Sequence, residues 1–154
     1  MKQINKYICE RLHINKDTKI VYNYHPKDKN ELYELVNKLI KERGNDADLN
    51  DIDTSEITDM NHLFVNSEFN GNISEWNVSN VKDMNMMFSY SKFTGENGDI
   101  SIWDVSNVKY MNNMFANSKF NGDISNWNVS NVENMYHMFD KSPLEKNPPK
   151  WYKK

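Results

Sequence analysis

Cysteine occurs once in the 154 residues, at Cys9, which excludes an internal disulfide framework and any multi-cysteine zinc or iron–sulfur site. Glycine (five residues) and proline (four) are scarce. No phosphate-cradling glycine loop is present, because Gly95-Glu-Asn-Gly98 lacks the Lys-Ser/Thr that completes a Walker A sequence. The serines lie in no Gly-x-Ser-x-Gly elbow, which argues against a serine nucleophile. No apolar run reaches the ~18 residues that a membrane helix needs. The start, Met1-Lys-Gln-Ile-Asn-Lys-Tyr7, lacks the apolar stretch of a secretory signal, so the sequence predicts a cytoplasmic protein.

What is abundant is aromatic side chains and asparagine. Aromatics make up 12% of the chain, enough to argue for a packed interior and against disorder although only 38% of residues are hydrophobic. Asparagine appears 25 times. The net charge of −3 conceals a segregation. Residues 1–43 carry ten Lys/Arg against six Asp/Glu, residues 44–142 five against fifteen, and residues 143–154 four against one. A basic beginning, an acidic middle and a basic tail read either as three segments with different tasks or as acidic side chains filling turns and helix starts.

The acidic middle is a repeat. Asn80-Val-Lys-Asp-Met-Asn-Met-Met-Phe88 aligns with Asn107-Val-Lys-Tyr-Met-Asn-Asn-Met-Phe115 and Asn131-Val-Glu-Asn-Met-Tyr-His-Met-Phe139, and more weakly with Glu56–Phe64. Phe69-Asn-Gly-Asn-Ile-Ser-Glu-Trp-Asn-Val-Ser79 aligns with Phe120-Asn-Gly-Asp-Ile-Ser-Asn-Trp-Asn-Val-Ser130. The copies Ile57, Val81, Val108 and Val132 are separated by 24, 27 and 24 residues, the longer interval holding an insertion around Gly95–Gly98. The same spacing carries Trp76 back to Ile52 and Trp127 forward to Trp151. Residues 47–55 therefore read as a half-repeat, and the tail as a worn last rung or a flexible partner-binding segment.

Val81, Met84, Met87 and Phe88 fall at helical spacing, with Asn80 and Asp83 as capping signals, which predicts a short helix in each unit. Ile73-Ser-Glu-Trp-Asn-Val78 has the Leu-x-x-Leu-x-Leu form and predicts a short strand with Trp76 and Val78 facing inward. A unit this small cannot offset its own backbone entropy, so copies must stack. Stacked asparagine amides then satisfy turn backbone groups, in preference to serving a ligand.

In the first segment, Ile4, Tyr7, Ile8 and Leu12 fit one short helix, Thr18–Tyr24 alternates like a strand, and Asp28 with Glu31 opens a second helix. Leu32, Leu35, Val36, Leu39 and Ile40 form the stripe of that second helix, and Gly44 stops it. The expected fold class is α/β: a leucine-rich-repeat-like solenoid of about four 24-residue strand–helix repeats. Residues 1–44 form an α-β-α cap, 45–142 the solenoid, and 143–154 a degenerate last rung.

The segment Phe120–Phe139, together with its copies, resembles the BspA-like leucine-rich repeat family over residues 46–142. The resemblance implies a repeat fold and a binding role. Members of that family are often bacterial surface proteins implicated in adhesion. The absence of an export signal brings the chain nearer to short stand-alone arrays of bacteria and their phages.

Chemistry-bearing residues are sparse. His62 and His137 share one repeat position three rungs apart, too far to hold one ion, and His13 and His25 lack partner patterns. Asp46–Asp53 lacks the glycine and terminal glutamate of a calcium loop. No metal, cofactor or catalytic residue is predicted. Binding is expected where copies differ: at Glu75, Ile102 and Asn126, equivalent outward positions, at Tyr110 and Tyr136, and at Thr94, Glu96 and Asn97 in the insertion. These point to a non-catalytic scaffold for a protein partner, with no membrane and no direct nucleic-acid contact. The alternatives are an acidic inhibitor or nucleic-acid mimic of a defence enzyme or nuclease, and an adhesin separated from its export signal.

Overall fold

The computed structural model describes residues 20–153. Cys9, His13, the helix expected over Ile4–Leu12 and the start of the expected strand Thr18–Tyr24 lie outside them. Helix α1 spans Lys29–Arg43. The Asp28 carboxylate accepts from the backbone N–H groups of Asn30 and Glu31 at 2.8 and 3.0 Å, satisfying two otherwise unpaired donors. The Glu31 carboxylate reaches back to the Lys27 N–H at 2.8 Å. Gly44, at φ 91°, ends the helix by donating to the Ile40 carbonyl. Leu32, Val36 and Leu39 are buried in the same core as Leu49, Ile52 and Ile57, so α1 covers the beginning of the repeat array. Arg43 fastens it with two bonds to Asp51, at 2.9 and 3.0 Å, and one to the Asp48 carbonyl.

The repeats do not form the expected α/β solenoid of strand–helix units. Among the described residues there is one α-helix, a 3₁₀ turn at Pro143–Glu145 and isolated parallel bridges, but no strand. The expected helix over Val81–Phe88 is a chain of tight turns. Met87 donates to Met84, Ser89 to Met86 and Ser91 to Phe88, all at 3.1–3.2 Å. The intervening amides donate along the stack instead: Met84 to Tyr110, Met86 to Asn112, Phe88 to Met114 and Tyr90 to Ala116, at 2.8–2.9 Å. A residue that donates to the next rung cannot also donate four residues back, and this is what excludes an α-helix. Val81, Met84, Met87 and Phe88 are buried in the turn ladder as they would be on one helix face, so spacing alone does not distinguish the two states.

The turns need left-handed backbone. His62, Met86, Asn113 and His137 have φ of 53–62°, and Asn66, Tyr90, Asn117 and Lys141 repeat the device four residues on. In the other half of each unit the expected strand reduces to a turn closed by Trp76 N–H on the Ile73 carbonyl. Side chains supply the links between rungs there. The indole N–H groups of Trp76, Trp103, Trp127 and Trp151 donate to the carbonyls of Leu49, Ile73, Ile100 and Ile124 at 2.9–3.3 Å. The amides of Asn80, Asn107 and Asn131 donate to Ser55, Ser79 and Ser106 at 2.7–2.8 Å.

Copied side chains form columns. Phe64, Phe88, Phe115 and Phe139 stack with centroids 5.3–5.9 Å apart and planes within 3°. Phe69, Phe93 and Phe120 make a second column at 6.0–6.3 Å. Trp76, Trp103 and Trp127 are buried. Trp151 stacks on Trp127 at 6.4 Å, so the tail continues the stack. Rungs approach so closely at Gly71 that a Cβ there would lie 2.0 Å from the Ala47 carbonyl oxygen.

Candidate partner-binding surface

Asparagine and aspartate share two structural positions in each unit. Asn72, Asp99 and Asp123 accept from the backbone N–H two residues on, as do Asn77, Asp104 and Asn128. These are Asx turns, in which the side chain replaces a backbone acceptor. Hydrogen bonds from Ser106 hold the Asp104 carboxyl below the usual carboxylate range, and those from Ser125 do the same for Asp123. The acidity of the middle segment is thus built into its turns.

The residues expected to bind a partner fall into separate places. Glu75 and Ile102 line one shallow depression of about 190 Å³, and Ile102 is 71% exposed. Asn126 occupies the equivalent exposed position in the next copy. In the insertion, Thr94 donates through both N–H and Oγ to the Asn70 side chain, and the Asn97 amide donates to the Asn70 carbonyl at 2.8 Å. Thr94 and Asn97 therefore tie the loop down, leaving Glu96 as its free polar side chain. Gly95, at φ 86°, lets the loop cross the Phe120 ring, where a Cβ would come within 2.8 Å.

Tyr110 and Tyr136 interrupt ladders that are polar in the earlier copies. Tyr110 takes the place of Asp59 and Asp83 in the bridge row, and Tyr136 the place of Asn61, Asn85 and Asn112. The Tyr110 hydroxyl donates to Glu133 at 3.4 Å. Lys109 pairs with the same carboxylate at 2.8 Å, which lowers the Glu133 pKa and raises that of Lys109. Tyr136 is 64% exposed and lines a groove of about 590 Å³ with Val129, Val132, Met135, Trp151 and Lys153. The earlier copies Val105, Val108 and Met111 are fully buried, whereas Val129, Val132 and Met135 are only partly so. Sequence reading passed over these three as ordinary core because nothing in their own identity marks the rung as terminal.

Among the described residues no three His, Cys, Asp or Glu side chains gather closely enough to hold a metal ion. No helix there is long and apolar enough to cross a membrane.

The ladder of turns, the aromatic columns and the exposed positions that vary between copies define a stacked-repeat protein. The model of the family described as "Mycoplasma protein of unknown function, DUF285" matches residues 31–151, and the chain belongs to that family. No curated protein and no solved structure matches it.

Proposed function

We propose that the protein is a non-catalytic scaffold that binds a protein partner in the cytoplasm. The observation carrying this reading is the placement of large apolar side chains in solvent on an otherwise closed frame: Ile102 and Tyr136 are 71% and 64% exposed. Their counterparts in other copies are polar, so the frame does not need them. A surface held by rung-to-rung hydrogen bonds loses little conformational entropy on docking, which favours tight association. The resemblance to BspA-like repeats is consistent with such a role. The sharing of two turn positions by Asn and Asp favours turn chemistry over nucleic-acid mimicry as the source of the acidity. Affinity capture with the intact chain and with an Ile102→Ala/Tyr136→Ala double variant tests the reading. One co-purifying protein, depleted at least tenfold by the double variant while its thermal unfolding is unchanged, is expected. Identical capture by both removes both positions as binding sites.

A further inference from the structure

Three asparagines in the repeat region precede a glycine: Asn70-Gly71, Asn97-Gly98 and Asn121-Gly122. A glycine has no Cβ to shield its amide nitrogen, which leaves that nitrogen able to react with the carboxamide before it. The fold treats the three pairs differently. Asn70 is held fast. Its Oδ1 accepts from the Thr94 N–H and hydroxyl at 2.8 and 3.0 Å, its carbonyl accepts from the Asn97 amide at 2.8 Å, and its own N–H donates to the Asn45 carbonyl at 2.8 Å. Gly71 is buried against the Ala47 carbonyl. Asn97 is exposed, but its Nδ2 is committed to Asn70, and Gly98 is buried against the Gly71 carbonyl. Asn121 is exposed, and its side chain has no hydrogen-bond partner among the described residues. The Gly122 amide donates to no carbonyl there either, and a Cβ on Gly122 would meet only the Phe120 ring. The next rung, with Leu144, Pro148 and Pro149, leaves a groove of about 610 Å³ beside this pair instead of bonding to it.

We propose that Asn121 is a site of spontaneous deamidation, with the Gly122 backbone nitrogen as nucleophile. That nitrogen gives up its proton to water and attacks the Asn121 Cγ. The N–Cγ bond forms, the Cγ–Nδ2 bond breaks, and ammonia leaves with a proton from water. A second water opens the five-membered imide at either carbonyl, giving aspartate or isoaspartate at position 121 with no oxidation or reduction. An intramolecular attack of this kind depends on the side chain reaching its near-attack geometry, which the bonds at Asn70 and Asn97 oppose and nothing at Asn121 does. The product adds one negative charge beside Asp123 on a groove that Lys150 also lines. The proposal is independent of the scaffold reading.

The test incubates the full chain in mildly alkaline buffer and follows it by peptide mass mapping. Trypsin places the three pairs in separate peptides, residues 44–82, 93–109 and 120–141. Expected is the mass gain of amide-to-acid conversion in 120–141 at least tenfold faster than in the other two, with isoaspartate in the product detected by isoaspartyl methyltransferase labelling. In urea, where the fold no longer distinguishes the pairs, the three rates converge. Asn121→Gln, whose longer side chain would need a six-membered ring, abolishes the conversion in 120–141. Conversion of 44–82 or 93–109 as fast as 120–141 in the folded chain overturns the proposal. So does conversion that persists in Asn121→Gln, or a folded chain that keeps its mass while the urea-unfolded one converts. The same tenfold order in urea also overturns it, because local sequence and not the fold then sets the preference.

Discussion

Replacing His62 or Met86 separately by glycine and by alanine distinguishes the turn ladder from the short helix that the spacing of apolar residues predicts. Both variants delete the same side chain, including the contact of His62 Nδ1 with the Asn61 amide oxygen, so the difference between them isolates the backbone. At φ 62° and 54°, a Cβ costs about 1–2 kcal/mol relative to glycine. Glycine returns about 0.4–1 kcal/mol of that through the greater entropy of the unfolded chain. Glycine is therefore expected to be the more stable variant at each position by about 0.5–1 kcal/mol. In an α-helix the order reverses, with alanine ahead by about 1 kcal/mol. The sign alone decides. Urea unfolding followed by tryptophan fluorescence converts the difference into a midpoint shift of about 0.3 M in glycine's favour, for a slope of about 2 kcal/mol/M. Alanine variants as stable as glycine ones, or more so, would refute the left-handed turns and the ladder built on them.

Two further outcomes follow from side-chain partners. Trp127→Phe keeps an aromatic ring in its column but removes the indole donor to the Ile100 carbonyl, and is expected to cost about 1–3 kcal/mol, read by thermal unfolding; an unchanged midpoint means that the indole bond contributes nothing. Asp51 is held below the usual carboxylate range first by its bonds to Arg43, and Asp53 first by Ser55. Because both are depressed, the unfolded chain takes up protons before the folded one, so their stabilisation is complete above about pH 4 and disappears as pH falls through the folded values. The melting temperature is expected to stay level from pH 7 to 5, then fall more steeply in the natural chain than in Asp51→Asn. Parallel profiles would show that the Arg43 link carries no pH dependence.

Several elements were legible in the sequence, each for a local reason. The helix over Lys29–Arg43 was readable because Asp28, Glu31, the Leu32–Leu39 stripe and Gly44 act within a few residues of one another. The stacking of copies and the inward tryptophans were readable because recurrence at 24 and 27 residues is a property of the string itself. The misreading came between these scales. Val81, Met84, Met87 and Phe88 satisfy helical spacing and a run of turns equally well, since both bring the same residues to one side. In this copy Met86 and Tyr90 carry the left-handed backbone and their identities give no signal of it, although the equivalent Asn66, Asn113 and Asn117 are of a type that favours it. Of the positions read as a binding surface, Ile102, Tyr110 and Tyr136 depart from the copied pattern and are exposed, whereas Thr94 and Asn97 are fastened to Asn70.

The sequence by itself determined the period and the columns of identical side chains, because those depend on which residues recur and how far apart. The tertiary structure decided where each backbone donor goes. An amide between a local acceptor and one 23 or 26 residues away takes whichever carbonyl the neighbouring rung presents, and that neighbour exists only once the chain has stacked.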